Sequence, residues 1–191
     1  MSPISRQRPP EVAGRLVAVV GPSGVGKDSV MDGLCAAHLD LRRVKRTITR
    51  PAEAGGEDFH AVSSEQFDQM RNAGAFILSW GAHGLHYGIP ATVRDVLASG
   101  RDAIVNLSRG VLVEADERFD HLHVISLVAD PRVLADRLAS RGRETAADIE
   151  KRLSREGATL PEGVNITQVR NDRPLDDTLA EIEALYFPVS V

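Results

Sequence analysis

The run Gly21-Pro22-Ser23-Gly24-Val25-Gly26-Lys27 fits the spacing G-x-x-x-x-G-K. Glycines at these positions let successive backbone N–H groups turn inward and cradle phosphate oxygens. Lys27 adds a compact cation for the outer oxygens of a nucleoside triphosphate. A helix that starts here aims its positive end at the same anion. The residue after the lysine is Asp28, where the pattern usually has Ser or Thr, and Ser29 follows. A carboxylate is a hard ligand suited to Mg²⁺; it also complements a helix N-terminus electrostatically. The metal reading is favoured. Residues Gly21, Pro22, Ser23, Gly24, Val25, Gly26, Lys27, Asp28 and Ser29 are thus candidates for holding ATP, with Asp28 the candidate ligand for Mg²⁺.

Positioning such a loop requires a strand before it and a helix after it, and both are legible. Leu16 to Val20 is an unbroken apolar run suited to a strand buried on both faces. Residues 28–38 read as a helix and 41–49 as a second strand. A Gly/Pro/acidic loop occupies 50–59. Ser63 and Gln66 have the spacing of a capping box opening a helix that stops near Gly74. Residues 76–88 suit a hairpin turning near Gly84, and Pro90 suits the first turn of a helix to about Ser99. Strands follow at 103–107 and 122–128. Asp130-Pro131 opens a helix that breaks at 141–145 and resumes over 146–158. A last strand at 165–169 and a last helix at 174–185 complete the chain. Short apolar strands alternating with helices predict an α/β fold with a mostly parallel sheet flanked by helices.

The chain has 191 residues, 42% hydrophobic and 26% charged, which suits one domain. We read 1–13 as a flexible tail and 14–191 as the domain. Two stretches stand outside the alternation: a small insert at about 46–90 and a lid at about 137–155. A net charge of -4 argues against long nucleic acid as partner. The single cysteine, Cys35, builds neither a disulfide framework nor a cysteine zinc site, and its apolar neighbours suggest a buried thiol. No apolar run approaches the ~18 residues of a membrane span, and residues 1–10 have no apolar core like that of a signal peptide. The expectation is a cytoplasmic protein without membrane partner; a homodimer is compatible with it.

With the phosphate loop fixed, the remaining motifs resemble the guanylate kinase family in family order. Arg46-Thr-Ile-Thr-Arg50-Pro51, Gly56-Glu57-Asp58-Phe59 and Val62-Ser63 resemble the segment that holds the acceptor phosphate. Gly74-Ala-Phe76 and Tyr87-Gly88 resemble its small substrate domain. Arg137, Arg141-Gly142 and Arg152-Leu153 resemble its lid, and Asn171-Asp172 its adenine-side loop. The departures are informative. Leu78 stands where that family reads the guanine edge with a glutamate, and Ile89 where it uses Ser or Thr. Asn106 and Ser108 replace an acidic pair, and Phe59 replaces a tyrosine. Gly-Lys-Asp, Ser79-Trp80-Gly-Ala-His83-Gly84 and Asn106-Leu-Ser108-Arg109 together resemble the ribose 1,5-bisphosphate phosphokinase branch of phosphonate utilisation.

That resemblance implies transfer of the γ-phosphoryl group of ATP to a phosphosugar, giving 5-phosphoribosyl 1-diphosphate. A phosphate oxygen is already ionised near neutral pH, so such a reaction requires positioning and charge neutralisation rather than a general base. The implied catalytic cations are Lys27, Arg137, Arg141 and Arg152, with Arg143 nearby. On residue types alone, Glu144, Asp148 and Glu150 make the lid arginines a solvated charged helix. Arg46 and Arg50 have guanidinium forks suited to phosphate, although a cross-strand pair on an exposed edge would look the same. Glu57, His83, Tyr87, Asn106 and Ser108 are candidates for sugar hydroxyls or a second phosphate. His83 and His86 read as neutral surface histidines rather than metal ligands, and Trp80 as core. Asn171 is expected on the adenine side. The rival readings are a guanylate or other nucleoside monophosphate kinase and a non-catalytic interaction domain of the same fold. The first is weakened by Leu78 and Ile89, the second by the intact loop.

Overall fold

The structure is a computed structural model that describes residues 13–54, 57–140 and 159–187. Five parallel strands form the main sheet in the order β2-β7-β1-β8-β9. They are β1 (Leu16–Val20), β2 (Arg42–Arg43), β7 (Ala103–Asn106), β8 (Leu122–Val128) and β9 (Ile166–Arg170). All five residues of β1 are fully buried, because helices or a second sheet cover both faces. One face buries Val17, Val19, Ile104, Ile125 and Leu127 under the helices α1 (Lys27–Ala37), α5 (Pro131–Ser140) and α6 (Leu175–Tyr186). The other buries Leu16, Ala18, Val20, Val105 and Val124 with α4 (Leu112–Arg118) and the insert.

The insert is a four-stranded sheet in the order β4-β3-β6-β5. Its strands are β3 (Thr47–Ile48), β4 (His60–Ala61), β5 (Phe76–Ala82) and β6 (Leu85–Pro90). The β5–β6 hairpin turns on His83 and Gly84, both at positive φ (53° and 73°). Helix α2 (Ser64–Asn72) carries the expected capping box between Ser63 and Gln66. It packs Phe67 against Phe76 and His86, with ring centroids 4.7 and 5.5 Å apart.

Four expectations need correction. Residues 41–49 are not one strand. Arg42–Arg43 extends the parallel sheet and Thr47–Ile48 joins the insert, so the chain changes sheets between them. Pro90 does not open a helix. It ends β6 opposite Phe76, a strand terminus that tolerates a residue without an N–H, and the next helix, α3 (Val93–Ala98), begins three residues later. Cys35 is partly exposed and packs at the margin of the core. His86, read as a surface residue, is half-buried against Phe67. The later part of the expected lid, including Arg141 and Arg152, lies outside the described residues, as does Gly56.

Candidate active site

Because the main strands are parallel, their C-terminal ends share one edge. β1 sits in the middle of the sheet between β7 and β8, so the loop leaving it opens where flanking connections diverge. Such an edge is the usual ligand crevice of an open α/β sheet. It gathers the glycine loop after β1, Asn106 at the end of β7 with Ser108 beyond it, Asp130 after β8 and Asn171 after β9.

The loop has the backbone of an anion cradle. Gly24 and Gly26 adopt φ of 81° and 93°, which turns N–H groups inward at little cost only for glycine. Gly26 is also the cap of α1 and offers no side chain to its first turn. Two elements brace the loop from outside. Asn171 is 4% exposed and donates from Nδ2 to the Val25 carbonyl at 2.7 Å. Arg137, on α5, donates from Nη1 to the Asn171 carbonyl at 2.8 Å and lies 3.4 Å from that of Val25. A Cβ on Gly24 would stand 3.1 Å from Leu138 Cγ. Arg137 and Asn171 are therefore brought together as a clasp behind the loop. Lys27 Nζ folds over it, donating to the Gly21 and Pro22 carbonyls at 2.8 and 3.0 Å.

Asp28 lies in the first turn of α1, 2.7 Å from Arg43 Nη2, and Ser29 is exposed beside it. Burial, and then the negative charge of Glu57, push the Asp28 carboxyl above the usual range, against the opposing pull of Arg43 and Lys27. The influence of Glu57 ties the insert electrostatically to the loop.

Glu57 is the centre of the insert's polar cluster. Arg46, 8% exposed, meets it with a guanidinium fork, Nε lying 3.0 Å from Oε2 and Nη2 bonding Oε1. Arg50 Nη2 is 3.9 Å from the same carboxylate, and its guanidinium lies over Phe59 at 4.3 Å. The Arg46 guanidinium also covers the Tyr87 ring at 5.0 Å, and Tyr87 stacks on Trp80 at 5.3 Å with planes 10° apart. Arg46, Arg50, Glu57 and Tyr87 are thus one unit carrying two cations and one anion. Leu78 and Ile89 are cross-strand partners and are buried, 1% and 0% exposed. Asn106 is buried at the end of β7 and Ser108 half-buried beyond it. His83 is exposed at the hairpin tip.

Sequence reasoning overlooked Arg43, and it read Trp80 as plain core without its stack on Tyr87. The signal for Arg43 was present but faint: a cation closing the strand after α1, with Asp28 and Asp32 four apart on that helix.

Comparison with known proteins agrees with this geometry. The family model described as guanylate kinase matches residues 13–187. A ribose 1,5-bisphosphate phosphokinase PhnN of Ruegeria sp. (strain TM1040) is 49% identical over 90% of this chain and 91% of its own. The protein of the same name from Pseudomonas fluorescens (strain SBW25) is 45% identical over 90% of this chain and 94% of its own. Among solved structures, a guanylate kinase from Anaplasma phagocytophilum shares the fold with a TM-score of 0.63 and 16% identity, covering 91% of this chain and 85% of that one. The chain belongs to the guanylate kinase family, in the branch of the ribose 1,5-bisphosphate phosphokinases.

Proposed function

We propose that the protein transfers the γ-phosphoryl group of ATP to the 1-phosphate of ribose 1,5-bisphosphate, giving 5-phosphoribosyl 1-diphosphate and ADP. The observation that carries this reading is the contrast between the two sides of the crevice. The phosphate cradle is complete. On the acceptor side, Leu78 and Ile89 form a buried apolar pair with no group to read a base edge, while Arg46 and Arg50 remain to meet phosphate. A site that reads a base by hydrogen bonds discriminates strongly, and an apolar pair cannot perform that reading. The relatives' names support the same acceptor.

In this reading the glycine loop, the first turn of α1 and Lys27 hold the β- and γ-phosphates. Lys27 exchanges its contacts with the Gly21 and Pro22 carbonyls for phosphate oxygens. Arg46 and Arg50 orient the acceptor, with Glu57 bridging their guanidinium groups, and Tyr87, Asn106 and Ser108 line its approach. His83 contributes from the hairpin tip only if the hairpin folds inward. An acceptor phosphate oxygen attacks the γ-phosphorus; a new P–O bond forms and the bond to the ADP leaving oxygen breaks. No proton moves, so catalysis rests on alignment and charge. Arg137, exchanging its contacts with the Asn171 and Val25 carbonyls for phosphate oxygens, joins the expected lid residues Arg141 and Arg152 in neutralising the transferring group, and Asn171 borders the adenine side.

Asp28, with Ser29 beside it, is the oxygen donor set for Mg²⁺. No group of three or more His, Cys, Asp or Glu side chains able to hold a metal exists among the described residues. One or two protein oxygens suit an ion carried mainly by phosphates and water. Bound there, Mg²⁺ would neutralise charge on the β- and γ-oxygens. No helix among the described residues is long and apolar enough to cross a membrane, and we assign the protein to the cytoplasm, in phosphonate utilisation.

Product analysis with ATP, Mg²⁺ and either ribose 1,5-bisphosphate or GMP tests the reading. Formation of 5-phosphoribosyl 1-diphosphate with GMP untouched is expected. Phosphorylation of GMP in preference to the sugar bisphosphate would overturn it.

A further inference from the structure

Arg43 ends β2, the edge strand of the parallel sheet, and its side chain crosses to the first two turns of α1. Nη2 lies 2.7 Å from Asp28 Oδ1, and Nη1 bonds Asp32 and lies 3.5 Å from the Asp28 carbonyl oxygen. The arginine side chain is only 21% exposed. One cation thus serves two carboxylates on one helical face, and it touches both the side chain and the backbone of the residue after the loop's lysine.

That placement answers an electrostatic difficulty. An acidic residue in the first turn of a phosphate-binding helix repels the polyanion that the loop is built to receive. Resting on the donor-site reading above, we propose that Arg43 is a positioning residue of this site. By pairing with Asp28 it cancels that carboxylate's charge and fixes its direction, so that a loop ending in Gly-Lys-Asp admits a nucleoside triphosphate. A divalent ion arriving with the nucleotide gives Asp28 a second cationic partner. The contribution of Arg43 is therefore largest for metal-free nucleotide and smaller once the metal is present.

The test is isothermal titration of the full chain with ATP, in EDTA and in excess Mg²⁺. The variants are Arg43→Ala, Arg43→Lys, Asp28→Asn and the double variant Arg43→Ala/Asp28→Asn. In EDTA, Arg43→Ala is expected to bind ATP about tenfold more weakly than the parent. Arg43→Lys should keep most of the affinity, since it keeps the charge. In the double variant the loss should vanish: it should bind like Asp28→Asn, because the carboxylate next to the loop is gone and Asp32, one turn further along, is left in solvent with its side chain 68% exposed. In Mg²⁺ the deficit of Arg43→Ala should shrink. The proposal is overturned if Arg43→Ala matches the parent in EDTA. It is also overturned if the double variant falls as far below Asp28→Asn as Arg43→Ala falls below the parent, since Arg43 would then act on the fold or on phosphate itself. A parent that binds no ATP in either buffer overturns the donor-site reading and Arg43's role together. A parent that binds, with unresponsive Arg43 variants, overturns only the latter.

Discussion

Gly26→Ala strikes the loop where two constraints meet. The first is the backbone: Gly26 has φ 93° and ψ 27°, a left-handed conformation that costs an L-residue roughly 1–2 kcal/mol. The second is space: a Cβ there would stand 2.6 Å from Asn171 Nδ2. Asn171 cannot swing aside freely, because it is 4% exposed and its amide holds the Val25 carbonyl at 2.7 Å. Displacing it breaks that bond and strains its packing, for about 1–3 kcal/mol. The sum is roughly 2–5 kcal/mol. At about 2–4 °C per kcal/mol for a domain of this size, the midpoint should fall by roughly 4–20 °C. ATP affinity should fall at least about tenfold, since the inward N–H groups move with the loop. Thermal melts with and without ATP, together with calorimetric titration, measure both effects. The double variant Gly26→Ala/Asn171→Ala removes the collision but not the backbone cost, so it should lose less stability than the two single losses added. A Gly26→Ala midpoint within about 1 °C of the parent, or strictly additive losses, would refute the claim that Asn171 and Gly26 share one packed contact.

Three further outcomes follow from the same geometry. Arg46→Ala leaves Glu57, whose side chain is 12% exposed, without its main cation, and should cost about 3–5 kcal/mol in urea denaturation. Arg46→Met/Glu57→Met should cost less, and a double variant worse than the single would count against a buried pair. Trp80→Ala removes the stack beneath Tyr87 and so loosens Arg46; steady-state kinetics should show a raised KM for the acceptor, with ATP affinity unchanged. An equal loss for both substrates would show a general fold defect instead. Burial, and then the charge of Arg15, hold the His123 imidazole below its ordinary range. The unfolded chain therefore takes up that proton more readily. The stability contribution is complete above pH ~6.5 and declines as pH falls through the depressed folded value. His123→Gln should flatten the decline in melting midpoint between pH 7.5 and 5.5, and an unchanged slope would refute this.

What could be read from the sequence was what is encoded locally. β1 and β8 are apolar runs, α2 is announced by Ser63 and Gln66, the hairpin by Gly84, and α5 by Asp130-Pro131. What escaped depends on partners far along the chain. β4 is two residues whose strand character exists only through pairing with β3. The division of 41–49 follows from which sheet offers an open edge, and the short helix α4 is held by burying its own Leu112 and Ala115 in the core against the main sheet. The site divides the same way. The glycine loop is a local motif, whereas the clasp of Asn171 and Arg137 spans 146 and 112 residues back to Val25. The pairing of Arg43 with Asp28 crosses from strand to helix, and only the four-residue spacing of Asp28 and Asp32 hints at it.

The two halves of the site are also built from different material. The donor half is mostly main chain: N–H groups shaped by Gly24 and Gly26 and braced from behind by Asn171. Its few side chains, Lys27, Asp28, Arg43 and Asn171, touch the loop or one another. The proposed acceptor half is a side-chain cluster on a separate sheet, where Arg46, Glu57 and Arg50 supply charge while Leu78 and Ile89 are buried in the core. A carboxylate placed at Leu78 would be buried beside Ile89, with apolar neighbours unable to repay its lost hydration. A base-reading acceptor site therefore cannot be regained by one substitution. The apolar pair and the arginine cluster agree with the proposed acceptor, a phosphosugar with no base to be read.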